Sequence, residues 1–506
     1  MNKIILRDIA IFMLFIIIAF SHTLLYEVVT WDEFTYILAG KSLVDGFLPY
    51  EKVWEMKPPM VYVMYSIPLY LFPDSLIAVR ILGFFIVFIT SFEIFLILRL
   101  LKVNKLLLLS ILFYISLMTY YFWLYPTTEL LSLPFLLIFV YFAIKSERKR
   151  DFILAGLFIS LSVLTRTNIA VVAFLFPFFY FTKFYKKYNL KKIIKNISLY
   201  ALGGLLPLLI FIIIYFSNNK IDLFLVSNID VLFVYSGEFS FIDSILNYFI
   251  TFFKMVYFYP FLFLPLFLII LAIILFKDPK YEKSYSSSFI IFMLITILIS
   301  IIASKQGFSH HFIQILPILI IYILMSFRSI NNKKILKFIK IFIFIPFLYV
   351  ALSSIFHSVK LVSNIKNIKS EHKIYQYSKK LKNMIGPQDR ILALDYHILY
   401  WYLQDQTEPL SPIAHSPALV RNSSKYRILP LEKINYVEKD HIDNILNSSP
   451  EVIICSTRIC EEGRKNLNND KIKELLSNYS EIERISDTTL WEFTQKSSMI
   501  VYMKNR

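Results

Sequence analysis

Along roughly the first 360 residues, long apolar runs alternate with short polar loops rich in lysine and arginine. Most runs match the ~20 residues a helix needs to cross a bilayer. The first crosses outward from Asp8 to Val29. The apolar run Pro58–Phe72 is short for a span, carries prolines at 58, 59 and 68 and is followed by Pro73, so it is expected to lie in the interface or re-enter. The next span runs over 77–98, and the others over 106–123, 129–144, 151–165, 168–182, 197–216, 249–276, 286–303, 312–327 and 338–357. The loops Arg99–Lys105, Lys145–Arg150, Lys183–Lys195, Lys277–Lys283 and Arg328–Lys337 then share one side and hold 20 basic residues. The opposite side holds Lys41, Lys52, Lys57, Arg166, Lys220 and Lys305. The positive-inside rule puts the basic loops and the amino end in the cytoplasm and the carboxyl end outside.

From Lys360 onward polar residues dominate. GPQDRILALD reads as a turn and a strand, EVIICS as a buried strand, KIKELLSNY as a helix and TLWEF as a last strand. The expected fold is a polytopic α-helical membrane protein of about 11 spans over 1–359, with a small extracytoplasmic α/β domain over 360–506.

Composition narrows the function. Of 506 residues, 57% are hydrophobic, which excludes a soluble core of this length. The net charge of +17 sits in the short loops, where it encodes topology, so no nucleic-acid partner is expected. The first apolar run lacks a small-residue cleavage site, so it reads as a retained span in the cell (inner or plasma) membrane. Cys455 and Cys460 make neither a metal motif nor a disulfide scaffold; on the sequence they are bonded or free.

Charges and histidines near the outer face are few: Asp32, Glu33, Lys57, Arg80, Glu129, Arg166, Lys305, His310 and His311. Carboxylates next to a span are costly unless they serve a cavity. Lys57 precedes Pro58 and Pro59, which fix the backbone around it. An acid can take a proton from an incoming nucleophile while a cation holds an anionic leaving group. A transporter or flippase of lipid-linked glycans is the alternative; it would set ionisable groups near the bilayer midplane on several helices, whereas here Glu93 is the main mid-span example.

The segment 30–75 carries WDE, then a short helix expected over Tyr36–Val44, a turn at Asp45-Gly46, and KPP. This order resembles the first outer loop of the GT-C glycosyltransferases, in the branch of the protein O-mannosyltransferases and the bacterial aminoarabinose transferase that modifies lipid A. YPTTELLSLPFLLI with Glu129, AGLFISLSVLTRTNIAVV with Arg166, and SHHFIQILPILI with His310 and His311 resemble later motifs of that family.

The resemblance implies transfer of a hexose or pentose from a polyprenyl-phosphate sugar donor to a hydroxyl on a lipid, glycan or protein acceptor at the outer face. No cofactor is implied, the lipid-linked sugar phosphate being a substrate, and no metal. Asp32 would be the base and Glu33 would orient it or meet the acceptor. Lys57 would bind carrier phosphate, with Arg80, Glu129, Arg166, His310 and His311 contacting substrates. A lone base implies inversion at the sugar carbon. Plainer roles are also open: Arg80 and Lys305 anchoring at the interface, Glu129 capping its helix, and one of the two histidines without ligand contact. Adjacent histidines on a helix point apart, which argues against zinc.

Overall fold

The structure is a computed structural model describing residues 3–20, 24, 31–73, 75–103, 107–122, 126–231, 234, 241–276, 284–303, 308–327, 330, 332–364, 372–386, 389–394, 396–404, 407, 409–413, 424–461, 469–486 and 498–505. The chain opens with α1 (Lys3–Phe20), α2 (Trp31–Val44), α3 (Met60–Leu71), α4 (Leu76–Leu100), α5 (Leu107–Phe122), α6 (Thr128–Lys145) and α7 (Lys149–Val163). It continues through α8 (Ala170–Phe184), α9 (Leu190–Ser217), α10 (Ile221–Leu225), α11 (Phe241–Phe258), α12 (Pro260–Phe276), α13 (Tyr285–Ala303), α14 (Leu316–Ser326) and α15 (Lys333–Asn364). The polar carboxyl-terminal part holds α16 (Lys373–Met384), β1 (Ile391–Ala393), α17 (Ile398–Tyr402), α18 (Ser424–Lys433), α19 (His441–Asn447), β2 (Val452–Ser456), α20 (Thr457–Cys460), α21 (Asn469–Leu476), β3 (Tyr479–Ile485) and β4 (Met499–Lys504). Lys305, the loop 277–283, Arg328 and the expected TLWEF strand lie outside the described residues.

Two compact units form. One takes in 1–24, 80–214 and 239–362; the other takes in 25–79, 215–238 and 363–506. The first loop, 25–79, groups with the carboxyl-terminal segment 363–506.

In the helical unit, packing is close because small residues allow it. A Cβ on Gly156 would lie 1.9 Å from the Tyr200 carbonyl oxygen, and one on Gly203 would lie 2.0 Å from that of Ile153. The backbones of α7 and α9 thus touch, as small residues permit between helices in lipid. Aromatic rings fill the space between α8 and α13: Phe179 stacks on Phe292 with centroids 4.5 Å apart. Phe176 meets Phe289 edge to face, a favoured geometry for such pairs. Ser162 Oγ donates to the Ser132 carbonyl, tying α7 to α6.

Among the described residues six helices are long and apolar enough to cross a membrane: 76–100, 128–145, 167–184, 190–217, 285–303 and 333–356. The other expected spans lie on helices outside these six. The expected span 249–276 is two helices, because Pro260 has no N–H to continue α11 and instead opens α12. The expected span 312–327 is a 3₁₀ turn at Ser309–Gln314 followed by α14, with Pro317 in its first turn. The run 58–72 gives only the 12-residue α3.

The second unit carries a four-stranded sheet in the order β1-β2-β4-β3. β1 and β2 are parallel, with Ile391 opposite Val452; β4 is antiparallel to both β2 and β3. β2 reads VIICS and is buried throughout, as an apolar central strand should be. Cys455 and Cys460 form a disulfide at its end. Within the same unit the first loop joins the carboxyl-terminal segment: Trp54 N donates to the Pro412 carbonyl at 2.6 Å, and Trp54 pairs with Ile413 in a parallel bridge.

Candidate active site

The acid pair sits on a helix. α2 begins at Trp31 rather than Tyr36, so Asp32 and Glu33 occupy its first turn, where the helix dipole favours negative charge. Successive helical residues point about 100° apart, and the two differ in exposure accordingly: Asp32 is half-buried and Glu33 is 1% exposed. The solvent-facing member of the pair is Asp32.

Lys57 is half-buried and stands just before α3. Pro58 and Pro59 remove two backbone donors there, so the ammonium and the positive end of α3 supply the attraction for an anion. The loop leading to Lys57 is anchored at several points. Tyr50, fully buried, donates from its hydroxyl toward the Lys57 carbonyl at 2.9 Å. Trp54 Nε1 donates to Ser227 Oγ at 3.0 Å. The Tyr62 hydroxyl accepts from Glu55 N and donates to the Val53 carbonyl. Glu51 pairs with Lys220, which holds its carboxyl below the usual range against the opposing pull of burial.

In the helical unit four of the expected residues meet. Arg166, in the link between α7 and α8, places Nη2 2.7 Å from Glu129 Oε1 and 2.8 Å from His311 Nε2, and donates from Nη1 to Thr128 Oγ1 at 3.2 Å. A guanidinium only donates, so His311 Nε2 accepts and its proton sits on Nδ1. That Nδ1 lies 2.6 Å from the Tyr248 hydroxyl, which receives the proton's bond. His311 is therefore a neutral bridge between arginine and tyrosine. His310 Nε2 lies 3.8 Å from Glu129 Oε1 and its ring stacks on Phe308.

Glu129 does not cap α6. Thr127 does, its side chain accepting from Leu130 N. Glu129 instead serves the arginine. Arg80 is buried on α4 at 3% exposure.

The ligand atoms of Glu129, His310 and His311 all lie within 4.8 Å of one another, a spacing a metal ion can use. The adjacent histidines do not point apart here. Arg166 Nη2 already takes the place between Glu129 and His311 that a cation would occupy.

Asp32, Glu33 and Lys57 thus belong to one compact unit, and Arg80, Glu129, Arg166, His310 and His311 to the other. Sequence reasoning missed Tyr248, Tyr50, Trp54, Ser227 and Asn228. Tyr248 lies among apolar neighbours with nothing in the local pattern to mark it. Trp54, beside the KPP motif, offered the only signal.

The family model described as dolichyl-phosphate-mannose-protein mannosyltransferase matches residues 56–215. The crystal structure of ArnT from Cupriavidus metallidurans bound to undecaprenyl phosphate superposes with a TM-score of 0.58 over 98% of this chain and 97% of that one, at 12% identity. The apo state of the same protein gives 0.58 over the same shares, at 10% identity. The chain shares the fold of that protein. No curated protein matches the sequence. The family match spans Lys57, Glu129 and Arg166, and the structural likeness extends through the carboxyl-terminal segment.

Proposed function

We propose that this GT-C chain transfers a glycosyl group from a polyprenyl-phosphate sugar to a hydroxyl acceptor at the outer face of the membrane. The observation that carries the reading is the end-to-end fold likeness to a protein crystallised with undecaprenyl phosphate. The family match over the segment holding Lys57 supports it.

Phosphate is a good leaving group and needs cations more than an acid; a hydroxyl is a poor nucleophile and needs a base. Asp32 takes the acceptor's proton as the acceptor oxygen bonds to the anomeric carbon. The bond from that carbon to the phosphate oxygen breaks, and polyprenyl phosphate leaves with the electron pair beside Lys57. One displacement inverts the anomeric centre. The transferred sugar is a hexose or pentose, and the acceptor is a lipid glycan, polysaccharide or protein.

In the Glu129–Arg166–His311–Tyr248 chain the guanidinium is paired with a carboxylate, so the chain orients groups more than it attracts a phosphate. His310, at 12% side-chain exposure against 1% for His311, is the histidine available to a substrate. The disulfide Cys455–Cys460 supports an oxidising compartment for the second unit, in keeping with an extracytoplasmic location.

The test is direct. Purified protein in lipid, given a fluorescent or radiolabelled polyprenyl-phosphate sugar and candidate acceptors, releases polyprenyl phosphate and a glycosylated product without a membrane gradient. Movement of the intact donor across the bilayer without cleavage would establish the flippase reading instead.

A further inference from the structure

The segment 221–231 contains a feature that the transfer reading leaves unexplained. After α10 the helix widens into a π turn over Val226–Asp230. Such turns are rare and recur at functional sites. Here two successive residues, Ser227 and Asn228, both reach the loop that ends at Lys57.

The partner of Asn228 is Tyr50, whose backbone is left-handed at φ +71°. A bulky aromatic in that region is an outlier, kept only where its surroundings over-determine it. The surroundings do so. Tyr50 is fully buried, meets Tyr62 edge to face at 5.1 Å, and packs against Tyr215, whose own hydroxyl donates to the Pro49 carbonyl. Its hydroxyl lies 2.9 Å from the Lys57 carbonyl and 3.1 Å from Asn228 Oδ1. Asn228 Nδ2 donates to the Phe224 carbonyl, which turns its oxygen toward the tyrosine. Burial keeps the phenol protonated, so one proton serves two acceptors.

Lys57 is thereby held from two sides. Pro58 restricts its backbone to extended values, and the Tyr50 hydroxyl pins its carbonyl. We propose that Tyr50 and Asn228 are positioning residues for the donor phosphate: the strained tyrosine, braced by the π turn, sets where the Lys57 ammonium stands. This rests on the reading of Lys57 as a phosphate ligand. All the residues involved belong to one compact unit.

The test measures binding of a short-chain polyprenyl phosphate to the full chain in lipid. Tyr50→Phe keeps the ring and removes the pin, and is expected to weaken binding about fivefold to tenfold, the worth of one hydrogen bond. Asn228→Asp, nearly isosteric, draws the tyrosine proton to its carboxylate and is expected to have the same effect. Either change placed on Lys57→Ala adds nothing further, because both act through that side chain. A merely structural role would instead lower affinity by the same factor in both backgrounds, and that result overturns the proposal. Unchanged affinity in Tyr50→Phe and Asn228→Asp, with Lys57→Ala weakened, overturns this inference alone. Unchanged affinity in Lys57→Ala overturns the phosphate role on which it stands. If Tyr50→Phe does not fold, Asn228→Asp is read by the same criteria.

Discussion

Replacing Arg166 by methionine tests whether the Glu129–Arg166 pair is a buried structural unit. The side chains are 2% and 11% exposed, and the contact is 2.7 Å. Arg166→Met removes the guanidinium from the buried Glu129 carboxylate and takes the donor from His311 Nε2. Breaking a buried pair from one side costs about 3–5 kcal/mol. Glu129→Leu should cost less, because the guanidinium keeps His311 and Thr128 as acceptors and has some access to water. The double variant Arg166→Met with Glu129→Leu should recover most of the loss, since an apolar pair of similar volume replaces the charges without desolvating either. The expected coupling is about 2 kcal/mol or more, read as the shortfall from additivity in unfolding titrations of all four proteins in one micelle composition. A loss under about 1 kcal/mol for Arg166→Met, or a double variant as unstable as the sum of the singles, would show that the pair is not the buried unit described.

Three further outcomes follow from the geometry and the chain's topology. Cysteines placed at Asp45 and Lys471 should react with an impermeant maleimide in intact cells, and one at Lys187 only after permeabilisation; the reverse pattern would invert the membrane orientation. Transfer should be unaffected by EDTA, because Arg166 Nη2 stands between Glu129 and His311; loss of turnover restored by manganese or magnesium would overturn that. His441 Nε2 sits 3.0 Å from Ser411 Oγ, and burial lowers its pKa from the ordinary 6.5 despite the counteracting charges of Glu432 and Glu438. The unfolded chain therefore binds this proton first, so stability should be full above about pH 6.5 and fall below it, with His441→Gln flattening the profile.

Local pattern and residue type made much of this protein legible. Span-length apolar runs marked the helices, the alternation of proline and charge marked Lys57, and the scarcity of outer charges marked Glu129 and Arg166, which the fold brings together. Helix boundaries shifted where a local device intervened: Pro260 splits one expected span, and the WDE triplet is already helical. Two features depend on distance in sequence and were not readable. The first loop packs with residues 215–238 and with the carboxyl-terminal segment, through contacts such as Trp54 with Ser227 and Pro412. Tyr248 joins His311 from an apolar helix whose periodicity says nothing of its hydroxyl. The strand Tyr479–Ile485 was missed because its exposed face carries alternating charges in a short run.

The division of labour between Asp32 and Lys57 tests the central claim most directly. Donor binding and single-turnover transfer should be measured on Asp32→Asn and Lys57→Ala side by side. Asp32→Asn keeps the shape and removes the proton acceptor, so turnover should fall roughly a hundredfold or more while donor affinity stays near that of the parent. Lys57→Ala should weaken donor binding and also slow transfer, since the phosphate charge it faces is present in the bound donor and grows as the carrier leaves. Loss of donor binding in Asp32→Asn, with binding intact in Lys57→Ala, would contradict the account.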